Sequence, residues 1–155
     1  MRKLSEVEDA RVLMTEAMNW SVMKWLSEKK RVRKQADLAN AALDQLDQEI
    51  KTHWSDEVKA AYTELGGKIS GADRRPHKHT SHGIDPQVAL LARKLKTADD
   101  EAYRARMDAE DTFYQAEKHL STRLAREGCQ KAIDSWDLHE QAIRKAEAVF
   151  GGTKD

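Results

Sequence analysis

Apolar residues recur along the first 65 residues at alternating spacings of three and four: Val7, Met14, Met18, Val22, Trp25, Val32, Ala36, Ala39, Leu43, Leu46, Ile50, Trp54, Val58, Ala61 and Leu65. This is the period of an α-helix with one buried face, close to the seam of a coiled coil. No glycine or proline interrupts it before Gly66. Ser5 and Glu8 have capping-box spacing, so the pattern predicts one helix over about 4–65, ended by Gly66 and Gly67. Arg11 and Lys29 occupy seam positions, where their aliphatic stems can pack while the charge reaches water.

Glycine and proline then crowd into residues 66–86, which predicts a hinge loop over 66–85. Asp85 followed by Pro86 is an N-cap with proline at the first helical position. A second stripe follows: Val88, Leu91, Leu95, Ala98, Ala102, Ala105, Ala109, Thr112, Ala116, Leu120 and Leu124. It predicts a helix over about 86–127, and its alanines predict close approach of the partner helix. Beyond Gly128 the spacing resumes through Ala132, Trp136, His139, Ile143, Ala146 and Phe150.

Two continuations are open. The helix runs on through a kink at Gly128 to about 150, or it restarts there as a third helix lying on the first two. Equal arms favour the first, giving an all-α fold: a long antiparallel, coiled-coil-like two-helix hairpin in a single domain spanning 1–155. Around Trp20, Val22, Met23, Trp25 and Leu26 the first helix is apolar over more of its circumference than one partner covers. That excess predicts a second copy and a homodimeric four-helix bundle, with the third helix as the alternative cover.

Composition narrows the chemistry. Charged residues make up 35% of the chain and aromatics 6%, the balance of long exposed helices with a narrow core. Lys plus Arg and Asp plus Glu both number 27, so attraction to an anionic surface must come from local patches. The clearest patch is Trp20–Lys34, in which Trp20, Met23 and Trp25 adjoin Lys24, Lys29, Lys30, Arg31, Arg33 and Lys34. A hairpin folded about the hinge sets it beside residues near 117–127, where Lys118, Arg123 and Arg126 keep the band basic. Basic amphipathic helices of this kind dock protein partners, nucleic acid or anionic membranes.

The hinge carries His77, His79 and His82 within six residues, a candidate metal-binding set. Cys129 is the only cysteine, which leaves no disulfide framework and no thiolate zinc cage. None of the helical histidines has the glutamate three residues earlier that a di-iron bundle uses, and no nucleophile with an adjacent base is evident. The amino terminus lacks the apolar run of a secretory signal. These observations predict a cytoplasmic, non-enzymatic interaction protein without a cofactor. It docks a protein partner or itself through Trp20–Lys34, with binding to nucleic acid, membrane or metal as the alternatives.

Overall fold

The computed structural model describes residues 4–69 and 83–152. Among them the chain is helical, with α1 at Ser5–Ala17, α2 at Val22–Thr52, α3 at Asp56–Glu64, α4 at Pro86–His119 and α5 at Thr122–Gly152. His77, His79 and His82 lie outside the described residues, as does most of the expected hinge.

The helix expected over 4–65 is three helices. The turns are set by serines rather than by glycine or proline: the Ser21 hydroxyl accepts the Lys24 amide at 3.2 Å, and the Ser55 hydroxyl accepts the Val58 amide at 3.3 Å. Each satisfies an N–H that a helix start leaves free. Ser55 is followed by Asp56 and Glu57, whose charges suit the positive end of the helix dipole. The Ser5 cap, by contrast, is not made. Leu4 occupies the N-cap position without a side-chain bond, and Ser5 is already helical.

The chain folds back once more at its carboxy-terminal end, at Leu120–Ser121 and not at Gly128. Leu120 adopts a left-handed conformation (φ 50°, ψ 47°) and is 60% exposed. The Ser121 hydroxyl accepts the Leu124 amide at 3.1 Å to start α5. Gly128 then sits inside α5, where a Cβ would lie 2.8 Å from the Phe113 ring of α4. It is a point of close helix approach and not a kink. The Asp85 cap is observed as the sequence indicates, its carboxylate accepting the Gln87 amide at 2.8 Å, with Pro86 opening α4.

The alanine-rich stripe of α4 packs against α5 as an antiparallel pair, with Ala98, Ala102, Ala109 and Ala116 buried, and Ala125, Cys129, Ala132 and Ala146 buried on α5. Small side chains let the backbones approach, as the alanine run implies. α5 also packs against α2 and α1, α1 packs on α2, and α3 packs on α4. Within one chain the apolar excess of the Trp20–Leu26 stretch is met in part: Trp25 is 3% exposed, Val32 is buried, and Trp20 and Leu26 pack partly against the core, while Met23 stays exposed.

α2 and α4 do not join this close packing. They run past one another and meet through long side chains: Trp25 stacks on Phe113 with centroids 5.5 Å apart, Arg33 pairs with Glu117 at 2.7 Å, and Arg106 grips Asp44 at 2.8 and 3.1 Å. Of the residues near 117–127 expected beside the 20–34 stretch, Glu117 meets Arg33, and Phe113 just before them meets Trp25.

Candidate interaction surface

The nine residues singled out on the first helix separate into two sets. On the outer side of α2, Met23 is 73% exposed, and Lys24, Lys30, Arg31 and Lys34 are exposed. Trp20, on the turn before α2, is half-buried, with the Lys24 ammonium 5.3 Å and the Arg31 guanidinium 6.0 Å from its ring centroid. Those distances are within cation–π range. Arg31 also pairs with Glu28 at 2.9 Å. Lys24, Lys29, Lys30 and Lys34 have no carboxylate partner among the described residues. Lys118 and Arg126, at the α4–α5 turn, are exposed and likewise have no carboxylate partner among the described residues.

The inner set is different. Trp25 belongs to the core, and its indole N–H has no acceptor. With Lys29 and Arg33 it borders a cleft of about 320 Å³ between α2, α4 and α5. Phe113 and Trp136 complete the aromatic walls, while Val32, Ala36, Ala109 and Ala132 form apolar lining. Trp136 donates its indole N–H to the Asn40 carbonyl oxygen at 2.8 Å. Asn40, Phe113 and Trp136 were not singled out from the sequence, since each reads there as an ordinary helical position.

A second cleft, of about 450 Å³, is polar. Lys51 is 2% exposed and is clasped by Asp47 on its own helix and by Asp99 of α4 at 2.8 Å. Its ammonium also lies 5.1 Å from the Tyr62 ring centroid and 5.9 Å from that of Trp54. Tyr62 donates its hydroxyl proton to Asp99, tying α3 to α4. Burial raises the Asp47 carboxyl above its ordinary value, an effect opposed by Lys51, and one Asp47 oxygen has no partner. Burial, and then Asp99, push the Tyr62 hydroxyl far above the ordinary range.

His139 faces the same cleft. Its Nδ1 lies 3.3 Å from Arg106. Arginine can only donate, so Nδ1 accepts and the ring proton sits on Nε2. Burial and the Arg106 charge lower its pKa to about 4, which keeps it neutral near pH 7 and a weak base. Burial raises the Cys129 thiol to about 12. His139, Tyr62 and Cys129 are thus all held away from proton exchange near neutral pH.

Among the described residues no cluster of three histidines, cysteines or carboxylates could hold a metal ion. No described helix is long and apolar enough to cross a membrane. The sequence matches no protein-family model, no curated protein and no solved structure.

Proposed function

We propose that the chain is a non-enzymatic helical docking protein that binds an acidic segment of a partner protein along the outer face of α2. The observation that carries this reading is the set of unpaired ammonium groups, Lys24, Lys30 and Lys34, arrayed around exposed Met23 and half-buried Trp20. An apolar centre with a charged rim is the anatomy of a docking patch, and an unneutralised basic rim selects a negatively charged partner and speeds its approach. Trp25, expected in the same set, supports the face from beneath. The titration behaviour of His139, Tyr62 and Cys129 favours binding over catalysis.

The test is a displayed-peptide selection on the immobilised protein, with a Lys24→Glu/Lys30→Glu/Lys34→Glu variant as the counter-target. Acidic sequences with an apolar helical face should be enriched on the wild type, lose affinity for the variant and weaken with salt. Equal enrichment on both proteins would sink the reading. A second reading rests on the same unpaired lysines: binding to DNA or anionic membrane. Steeply salt-dependent binding to duplex DNA or phosphatidylserine vesicles, without peptide enrichment, would replace the first reading with this one. Sedimentation of the same samples separates docking from self-association.

A further inference from the structure

The cleft between α2, α4 and α5 is a place where close packing stops. Ala36, Ala109 and Ala132 come from three different helices, and alanines in such positions ordinarily allow helices to close on one another. Here they border about 320 Å³ of open space. Trp25 stacked on Phe113 stands between α2 and α4, and Trp136 bonded to Asn40 spans α5 and α2, so the aromatic rings frame the opening. A space of this size, apolar in its walls with a few polar groups, falls at the lower end of small-molecule clefts.

Two further features define what fits. The first is a fixed donor. An indole N–H can only donate, so the Asn40 carbonyl must face Trp136. The Asn40 amide N–H₂, on the cleft wall, is left without a partner among the described residues. The second is a lining without excess positive charge: Lys29, Arg33 and Arg106 stand against Asp37, Glu110 and Glu117, and Asp44 outside the lining takes Arg106. Arg33–Glu117 and Arg106–Asp44 pair with one another, which leaves Lys29 against Asp37 and Glu110. A free carboxylate gains little there. The exposed Arg33–Glu117 pair at the rim costs little to open.

We propose that this cleft binds a small, uncharged, planar aromatic molecule bearing a carbonyl acceptor, its ring against the aromatic and alanine walls and its carbonyl accepting from the Asn40 amide. The site is distinct from the outer face of α2 and stands or falls independently of the docking reading.

The experiment is a titration followed by the indole N–H resonances of the full chain. Its four tryptophans are assigned with single Trp→Phe variants, and the probes are benzamide and nicotinamide. Benzoate and cyclohexanecarboxamide serve as controls. Saturable shifts of the Trp136 signal are expected at concentrations on the order of millimolar, as suits molecules of so few atoms. Both controls should bind less well.

Asn40→Asp keeps the oxygen that accepts from Trp136 and removes the amide donor, so it should weaken benzamide by about tenfold with the fold intact. Ala109→Leu fills the cleft and should abolish the shift. If Ala109→Leu does not fold, the Asn40→Asp comparison and the signal mapping decide alone. No saturable shift at Trp136, shifts confined to Trp20, or equal affinity in Asn40→Asp would overturn the proposal.

Discussion

Replacing Lys51 by methionine tests whether the polar cluster holds α2, α3 and α4 in register. The substitution keeps most of the side-chain volume and deletes the charge between Asp47 and Asp99. Asp47 then has no cationic partner, and Asp99 retains only the Tyr62 hydroxyl. Lys51 and Asp47 are both nearly inaccessible, at 2% and 7% exposure, so solvent cannot screen what is left. Removing one member of a buried pair costs about 3–5 kcal/mol, a large part of the roughly 5–15 kcal/mol that stabilises a domain.

The expected fall in Tm is about 6–20 °C for a chain of this size. The assay is urea unfolding at pH 7 followed by helical circular dichroism. Lys96→Met is the control, because Lys96–Asp100 at 2.5 Å is far more exposed and should cost no more than about 1 kcal/mol. Lys51→Met/Asp47→Leu should recover much of the loss, since it leaves no lone carboxylate at position 47. In Lys51→Met the Asp47 carboxyl rises further, so the folded state takes up a proton before the unfolded state does. The gap to wild type should therefore narrow as the pH falls below 7. A Lys51→Met protein within about 1 kcal/mol of wild type would refute the reasoning.

Three other outcomes follow from single residues. His139 titrates near 4 in the folded chain against 6.5 ordinarily, so the unfolded state protonates first on acidification. Stability should fall from about pH 6.5 to pH 4 by up to about 3 kcal/mol, and His139→Gln should remove that slope; Asp47, whose pKa is raised, opposes it. Gly128→Ala gains about 1 kcal/mol of helix propensity, but its Cβ meets the Phe113 ring at 2.8 Å and disturbs the Trp25 stack. A net loss of about 1–2 kcal/mol is expected in the same urea assay. Cys129, buried and with its thiol raised to about 12, should not react with a disulfide reagent at pH 8 until urea unfolds the chain.

The helical class and most buried positions are legible in the sequence because both depend on a period that survives any rearrangement of the helices. Val7, Trp25, Val32, Leu43, Leu95, Ala109 and Ile143 all lie on the stripes and are all buried. Topology was less legible. The turns at Ser21, Ser55 and Leu120 contain no glycine or proline, and a serine cap is locally compatible with a continuing helix. Gly128 misleads for the opposite reason: it is small because Phe113 lies over it.

The Lys30–Lys34 face could be read from charge alone. The cluster around Lys51 could not, since Asp47 and Lys51 at i,i+4 look like an exposed helical pair. Only the arrival of Asp99 and Tyr62 from distant positions buries them. The offset was visible, however: Asp47 lies four residues after Leu43, on the edge of the apolar seam.

The order in which the helices are synthesised runs against the order in which they need one another. α5 packs with α1, α2 and α4, yet it is made after all three. Roughly a hundred residues separate the end of α2 from the end of α5, which at 5–20 residues per second is on the order of ten seconds of elongation. Throughout that interval Trp25, Leu43 and Ile50 have no completed core to enter. The α4–α5 hairpin is local in sequence and closes quickly once made. The α1–α2 pair is local as well, so what waits for α5 is the joining of the two pairs. α1 and α2 thus wait for α5 with part of their apolar stripes uncovered.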